Sequence, residues 1–235
     1  RNPQRLGFST NNNLVLRQGQ GRYLMLLNDD TLVLDGALDD LAAFMDAHPT
    51  AGAVGSYLLN PDLSFQVAFA GFPHPVMEAI RPATIWVFQK AQRQRGPLEV
   101  DSVCGGAMLV RRQVIDQVGM LDIAFDPIYS EEVDWCYRIK QAGWRIYSLP
   151  QSRIIHYGSV TMNRSVPRKY ELLLSHKVLY FRKNRGNFAA NTYRFTLRIV
   201  TAGKTVWWAV RSLFDRRYTE FRNLHWYVLR SISRL

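Results

Sequence analysis

The sequence predicts an α/β fold, in which a mixed, mainly parallel sheet is flanked by helices and followed by a helical C-terminal appendage. Short apolar runs of strand length alternate with stretches of helical periodicity, as is typical of α/β sheets. Of the 235 residues 47% are hydrophobic, and the mean hydropathy of −0.17 favours a folded protein over a disordered one. This length accommodates one sizeable domain, predicted over residues 1–160, and a smaller C-terminal region over residues 161–235.

The individual elements are predicted from periodicity and from the glycines and prolines that end them. In chain order they are a helix at 12–18, a strand at Tyr23–Leu27, a helix at Leu38–Ala47, a strand at Ala53–Leu59, a strand within Val100–Val110, a helix at Gln113–Val118, a helix from Glu131 to Gly143, and strands at Trp144–Leu149 and Ile154–Tyr157. Residues 63–98 contain four prolines and no steady period, which predicts a long, partly structured loop region.

The strand at Tyr23–Leu27 ends in the polar sequence Asn28-Asp29-Asp30. The apolar run is too short for most helices and is typical of a buried parallel strand. Ligands of open α/β sheets bind outside the carboxyl ends of the strands. Two carboxylates and an amide at that place are suited to Mg²⁺ or Mn²⁺ carrying a substrate diphosphate. The alternative is an ordinary turn, since Asn and Asp are common turn residues.

A second acidic group, Glu131, Glu132 and Asp134, lies much further along the chain. The residues that follow have helical spacing up to Gly143, so these acids fall in the first turn of a helix, where the helix dipole favours negative charge. A carboxylate held there and facing a cleft is well placed to act as a general base. The alternative is an ordinary acid-rich helix start.

Two adjacent glycines, Gly105 and Gly106, precede the apolar run that ends at Val110. Glycines at such a place let the backbone pass close to another group. A bound ligand and a strand bulge are the two alternatives that this pattern leaves open.

The positive charge of the chain is concentrated in its C-terminal region, although the whole chain carries +11. Residues 1–160 hold 14 Lys and Arg against 16 Asp and Glu, a net charge of −2, whereas residues 161–235 hold 16 against 3, a net charge of +13. Such a split indicates nucleic acid or an anionic membrane surface as a partner. Nucleic acid is disfavoured, because the cations alternate with large apolar groups and no nucleic-acid-binding motif is recognised.

Residues 194–214 are amphipathic when placed on a helical wheel. Charge interrupts every window long enough to span a bilayer, so the helix is predicted to lie on an anionic leaflet and not to cross it. The alternatives are a helix packed on the domain and a dimer contact. The apolar side consists of Phe195, Ile199, Ala202, Val206, Val210 and Leu213, extended by Trp207 and Phe214.

Several short motifs occur in an order that points to one family. They are Leu6-Gly7-Phe8, Asn11-Asn12, Gly21-Arg22-Tyr23, Asn28-Asp29-Asp30-Thr31, Gly105-Gly106-Ala107-Met108-Leu109-Val110-Arg111-Arg112, Val118-Gly119-Met120-Leu121-Asp122, Glu131-Glu132-Val133-Asp134-Trp135-Cys136-Tyr137-Arg138, Gly143-Trp144, Pro150 and His156. Together they resemble family 2 glycosyltransferases with the Rossmann-like GT-A fold. Within that family the chain is most similar to the rhamnosyltransferase-like enzymes of bacterial surface polysaccharide assembly.

The resemblance implies an inverting transferase that moves a sugar from a nucleotide-diphosphate donor to a hydroxyl of a glycan or polyprenyl-linked acceptor, with Mg²⁺ or Mn²⁺ as cofactor. Asp30 takes the place of the family's metal-binding acid. His156 resembles a late histidine that helps to hold the metal or diphosphate, the alternative being a satisfied structural residue. The residues assigned to the donor site are Asn28, Asp29, Gly105, Gly106 and Arg138.

The catalytic base of the family corresponds to Glu132 in this sequence, with Glu131 and Asp134 as the alternatives. Compared with the family, the chain lacks the first strand, its nucleotide-binding loop, and the next helix and strand. The resemblance therefore implies an N-terminally truncated GT-A domain whose donor binding is impaired in this fragment alone. It also implies a bacterial enzyme that is peripheral on the inner, cytoplasmic face of the membrane. A non-catalytic GT-A-like binding or scaffold module is the alternative, and the oligomeric state is not predicted.

Overall fold

The computed structural model describes residues 6–80, 94–158 and 166–232. Within them the chain divides into two compact units. The first contains residues 6–72 and 94–158, and the second contains residues 73–80 and 166–232. Part of the predicted loop region at 63–98, residues 81–93, lies outside the described residues.

A mixed sheet forms the centre of the first unit. The strands of this unit are β1 (Tyr23–Leu27), β2 (Thr31–Val33), β3 (Ala51–Leu59), β4 (Phe69–Ala70), β5 (Leu98–Glu99), β6 (Ser102–Val103), β7 (Ala107–Arg111) and β8 (Arg145–His156). The main sheet has the order β1-β7-β3-β8-β2 with β5 also paired to β8, and β4 pairs with β6 separately.

The direction of the strands differs from the prediction in part. The mixed α/β sheet is confirmed, but among the described strand pairs β3–β8 is parallel and the others are antiparallel. The predicted parallel majority is therefore not found in this part of the chain. An apolar run indicates that a strand is buried, but it does not show whether the neighbouring strand is parallel or antiparallel.

Strand β1 illustrates the difference. It was predicted as a buried parallel strand, but it pairs antiparallel with β7 at one end of the described sheet order. Leu26 is buried in this strand, whereas Leu27 is 41% exposed. The prediction of a buried parallel strand is thus wrong, while its bounds at Tyr23 and Leu27 are confirmed.

The two predicted strands at Trp144–Leu149 and Ile154–Tyr157 are one strand, β8. Along its pairing with β3, Ser56 lies opposite Leu149 and the next residue, Tyr57, lies opposite Arg153. The intervening residues 150–152 form a bulge, where Pro150 is tolerated because no ladder hydrogen bond is required from it. Pro150 therefore interrupts the register but does not end the strand, and the predicted strand end at this proline is wrong.

Helices cover the sheet and form the second unit. The helices of the first unit are α1 (Phe8–Gln18), α2 (Ala37–Ala47), α4 (Arg112–Val118) and α5 (Glu131–Gln141). Those of the second unit are α3 (Met77–Ile80), α6 (Val166–Phe214) and α7 (Thr219–Ile232). Alternate residues of β7 face opposite sides of the sheet. Met108 and Val110 belong to the same apolar cluster as Trp135 of α5, whereas Leu109 packs in a second cluster with Met45 of α2.

Helix α1 begins four residues before the predicted start at residue 12. Its N-cap residue, Gly7, has no side chain with which to cap the helix. Asp126 supplies the missing acceptor from a distant loop, since its Oδ1 accepts a hydrogen bond from the Ser9 backbone N at 2.9 Å and its carboxylate also contacts Thr10. The start of α1 is therefore set by a tertiary contact that no local pattern predicts.

The second unit is a helical array in which α6 packs on α7. Gly186 interrupts α6, since its φ of 81° lies outside the helical region and is readily adopted by glycine. Aromatic side chains form much of the packing, with Tyr180, Phe181 and Tyr193 all buried. Across the described residues, no helix has the length and apolar character required to cross a membrane.

Candidate active site

The turn after β1 brings an acid and a histidine into contact. After Asn28-Asp29-Asp30 the chain continues into β2, whose Thr31 lies opposite His156 of β8. The Oδ1 atom of Asp30 is 3.1 Å from Nε2 of His156, and Nδ2 of Asn28 is 3.2 Å from the same ring nitrogen. The backbone O of Asp30 accepts a hydrogen bond from Tyr157 N at 2.9 Å. The two residues predicted to bind metal, Asp30 and His156, are thus adjacent.

These two side chains form a pair and not a larger cluster. The Asp30 side chain is 34% exposed and that of His156 is 12% exposed, so Asp30 is the more accessible of the two. Asp29, the middle residue of the Asn28–Asp30 turn, is exposed. Over residues 6–80, 94–158 and 166–232, no three His, Cys, Asp or Glu side chains are grouped so that they could hold a metal ion together.

The glycine pair lies between the two acidic groups that the sequence singled out. Gly106 O accepts a hydrogen bond from Asn28 N at 3.0 Å, and a Cβ on Gly106 would lie 3.2 Å from Asn28 Nδ2. A Cβ on Gly105 would lie 3.4 Å from Glu132 Cβ and 3.4 Å from Phe8 Cζ. The two glycines therefore permit a close approach of the turn after β1 and the start of α5.

The electrostatic surroundings of Cys104 reflect this proximity. Burial, together with the negative charges of Glu132, Glu131 and Asp30, raises the pKa of the Cys104 thiol to about 11. The acids of both groups thus surround the segment Cys104–Gly106. The sequence placed these groups at separate points of the chain, and the fold brings them together.

Of the three acids in the first turn of α5, Glu132 is the one that faces open space. It lines a cavity of about 140 Å³ together with residues 67–70 and 102–104 and with Val133. Glu132 is partly exposed, whereas Glu131 and Asp134 are 3% and 0% exposed. Accessibility to a second molecule therefore separates Glu132 from its two neighbours.

Glu131 lies in an environment that favours its neutral form. Burial is the main cause, and the nearby charge of Glu132 adds to it, so that the pKa of Glu131 rises to about 9. Its Oε2 is buried without a hydrogen-bond partner. At neutral pH this carboxyl group holds its proton and is unsuited to accept another one.

Asp134 is engaged by Arg138, one helical turn further along α5. The Arg138 Nε donates to Asp134 Oδ2 at 2.9 Å. The other two nitrogens of the guanidinium donate to the backbone O of Val118 and of Met120, each at 2.7 Å. Arg138 therefore fastens the segment that follows α4 to α5. This role was not predicted from the sequence, which assigned Arg138 to the donor site.

Gln66 is a further residue of the site that the sequence analysis did not identify. Its Oε1 lies 2.5 Å from Nδ1 of His156, on the side of the ring opposite Asp30. Gln66 belongs to the proline-containing loop region and is separated from His156 by 90 positions. No spacing or motif in the sequence connects the two residues.

The family of the chain follows from comparison with known proteins. Residues 1–119, about half of the chain, match the model of the family described as Glycosyl transferase family 2. The chain therefore belongs to this family, and the resemblance found in the sequence is confirmed.

Two curated relatives illustrate the membership. The O-antigen biosynthesis protein RfbC of Myxococcus xanthus is 30% identical over 156 residues, which cover 64% of this chain and 12% of the relative. The N-acetylglucosaminyl-diphospho-decaprenol L-rhamnosyltransferase of Mycobacterium tuberculosis is 28% identical over 167 residues, which cover 67% of this chain and 53% of the relative. The chain thus spans about half, or less, of the length of these relatives.

A solved structure establishes the fold. The mannosyltransferase PcManGT from Pyrobaculum calidifontis, in complex with GDP-Man and Mn²⁺, matches 98% of this chain and 66% of its own chain with a TM-score of 0.56 and 15% identity. At this identity the likeness concerns the fold alone. The GT-A fold predicted from the sequence is confirmed.

Proposed function

We propose that this protein is an inverting glycosyltransferase. It moves a sugar from a nucleotide-diphosphate donor to a hydroxyl of a glycan or lipid-linked acceptor during the synthesis of a cell-surface polysaccharide. Family membership and the names of the two curated relatives support this reaction class. The observation that carries the proposal is the placement of Gly105 and Gly106, which bring Glu132 next to the Asn28–Asp30 turn.

Glu132 is the general base of the proposed reaction. Transfer to a hydroxyl requires a group that accepts the acceptor's proton as the new bond forms. Glu132 lines a cavity that an acceptor hydroxyl can enter, whereas Glu131 is held neutral by burial and Asp134 is paired with Arg138. Attack from the side of Glu132, opposite the departing diphosphate, inverts the configuration of the anomeric carbon.

Asp30 and His156 would hold Mg²⁺ or Mn²⁺ in this proposal. Asp30 Oδ1 and His156 Nε2 lie 3.1 Å apart, so a carboxylate oxygen and an imidazole nitrogen, both common metal-binding atoms, meet at one point. Two protein ligands suffice for an ion that takes its remaining ligands from phosphate oxygens and water. When bound, the ion supplies positive charge that stabilises the departing nucleoside diphosphate.

The donor diphosphate is proposed to lie along Asn28, Asp29, Gly105 and Gly106. The absence of side chains at the two glycines leaves the approach to Asn28 open, and the amide of Asn28 can donate a hydrogen bond to a phosphate oxygen. Arg138 is left out of the proposed donor site, because its guanidinium contacts Asp134 and two backbone carbonyls.

The proposal is tested by nucleoside diphosphate release from a panel of nucleotide sugars, using the full-length polypeptide that the gene encodes. Mn²⁺ or Mg²⁺ should support turnover and EDTA should abolish it. Asp30→Asn should abolish the metal-dependent turnover. Asp35→Asn, the same change at an exposed aspartate beyond β2, serves as the matched control and should leave the rate unchanged. Equal rates with and without EDTA would exclude the metal role of Asp30.

We also propose that the C-terminal helices dock on an anionic membrane surface at the inner, cytoplasmic face of the membrane. Most of the apolar side predicted for residues 194–214 is exposed, which disfavours its packing on the described residues. Arg211 and Arg230 lie over the rings of Trp207 and Trp226 at 4.9 Å, so cations and aromatic groups share this surface. The exposed residues are Phe195, Ile199, Val206, Trp207, Val210, Leu213 and Phe214, at 49–86% exposure.

Co-sedimentation with vesicles tests the docking. The full-length protein should pellet with vesicles that contain anionic lipid and should be released as salt screens the attraction. Replacing both Trp207 and Phe214 with Ser should reduce the pelleted fraction several-fold. Ile123→Ser, at an exposed apolar residue of the first unit, is the control and should have no effect. Unchanged vesicle binding together with a change from dimer to monomer would instead identify this face as a dimer contact.

A further inference from the structure

We infer that Gln66 is a positioning residue, which fixes the tautomer and the ring orientation of His156 so that Nε2 is free to bind the metal ion. The inference deepens the proposed function and rests on the metal role proposed there for Asp30 and His156. It concerns a residue of the loop between β3 and β4.

The orientation of the Gln66 amide is determined by its neighbours. Its Nε2 donates to the backbone O of His156 at 3.0 Å and to Asn60 Oδ1 at 2.9 Å. A backbone carbonyl can only accept a hydrogen bond, so the NH₂ group of Gln66 must face it. The oxygen Oε1 therefore points to Nδ1 of His156, at 2.5 Å.

Asn60 provides an independent check on this orientation. Its Nδ2 donates to Ser64 Oγ at 2.9 Å and to the backbone O of Phe65 at 3.4 Å. The carbonyl of Phe65 again accepts only, so the Asn60 oxygen is left to face Gln66. The amides of Gln66 and Asn60 are each oriented by a backbone carbonyl. Both orientations place Gln66 Oε1 against His156 Nδ1.

The loop itself is held in place around this contact. Gln66 N donates to Leu58 O at 2.9 Å, which attaches the loop to the end of β3. Asp62 Oδ1 accepts hydrogen bonds from the backbone and the hydroxyl of Ser64 at 3.0 and 2.6 Å. Leu63 has a φ of 64°, a conformation that non-glycine residues rarely adopt. These contacts hold the backbone of the loop that carries Gln66.

An acceptor at Nδ1 decides which ring nitrogen carries the proton. A neutral imidazole has one N–H and one lone pair. Gln66 Oε1 holds an N–H at Nδ1, so Nε2 is the ring nitrogen that can present a lone pair to an ion. Before an ion binds, Asp30 Oδ1, an acceptor 3.1 Å away, favours a second proton on Nε2, and this proton is displaced when the ion binds. Metal-binding histidines commonly donate their second N–H to such a fixed acceptor.

The tautomer is measured directly by ¹⁵N NMR of the histidine rings in the metal-free, full-length protein, with His156→Gln used to assign the signals. We expect a proton on Nδ1 of His156 in the wild type, and a ring whose only proton is on Nε2, facing Asp30, in Gln66→Leu. Gln117→Leu is the matched control, since Gln117 Oε1 likewise accepts from a ring N–H, that of Trp144 at 2.8 Å. A wild-type ring whose only proton is on Nε2, or a proton that stays on Nδ1 in Gln66→Leu, would overturn the inference.

Binding of Mn²⁺ alone provides the second readout, followed by the EPR signal of the free ion. Gln66→Leu should weaken binding by roughly 10- to 100-fold, the range for residues that orient a metal ligand. Gln66→Glu keeps an acceptor at Nδ1 and should retain most of the affinity, as should Gln117→Leu. Equal affinity of Gln66→Leu and wild type contradicts the inference. Absence of Mn²⁺ binding in the wild type would instead contradict the proposed metal role, and the tautomer would still decide the role of Gln66.

Discussion

Replacing Glu132 with Gln removes the proposed base together with a negative charge that contributes to the raised pKa of Glu131. The side chain keeps its size, and because Glu132 is partly exposed and lines a cavity, the stability of the fold should be nearly unchanged. Positioned bases contribute on the order of 10²- to 10⁴-fold to the rate. The kcat of Glu132→Gln should fall by that range, which corresponds to about 3–5 kcal/mol of lost transition-state stabilisation.

Asp134→Asn provides the contrast, because the same chemical change at this position should affect stability and not catalysis. Asp134 is fully buried and its partner Arg138 is 23% exposed. Removing the negative charge leaves the guanidinium only partly compensated, although Asn can still accept its hydrogen bond. Breaking a buried pair costs about 3–5 kcal/mol, so we expect a loss near the lower end, roughly 3 kcal/mol.

Two measurements on the same variants separate these effects: steady-state nucleoside diphosphate release and unfolding in urea. Glu132→Gln should show a low kcat with an unchanged urea midpoint, and Asp134→Asn should show a lower midpoint with a kcat within a few-fold of wild type. The reasoning is refuted if Asp134→Asn loses activity by orders of magnitude at unchanged stability while Glu132→Gln remains active.

Two further predictions concern stability. Burial holds Glu131 neutral in the folded state with a pKa of about 9, whereas the unfolded chain loses this proton above the ordinary value of 4.5. The wild type should therefore lose stability as pH rises from about 4.5 to 9, by up to roughly 1.4 kcal/mol per pH unit. Glu131→Gln removes this dependence, so its free energy of unfolding relative to wild type should increase between pH 5 and pH 8, and an equal difference at both pH values would contradict the assignment. Asp126→Ala removes the acceptor at the N-terminus of α1 and should cost about 1–2 kcal/mol in urea unfolding. Asp116→Ala, on the exposed face of α4, is its control, and equal midpoints for the two variants would show that Asp126 does not cap the helix.

Much of the local structure was predictable, because local spacing carries the necessary information. The bounds of β1 and the acid-rich start of α5 are found where periodicity and end signals placed them. Helix α1 was predicted to start too late, since its cap comes from Asp126, far along the chain. The sequence named the acids of both groups in the candidate site. It did not predict that the Asn28–Asp30 turn and the start of α5 lie close together in space.

The sequence by itself determined the α/β class, the family motifs and the existence of an apolar side along residues 194–214. These properties depend on periodicity and residue type, which are written along the chain. Only the tertiary structure decided which acid faces a cavity, that Arg138 binds Asp134 and two carbonyls, and that Gln66 meets His156. Such contacts join residues that are close in space and unrelated in spacing, so they arise only when the sheet order and the loop conformations are established.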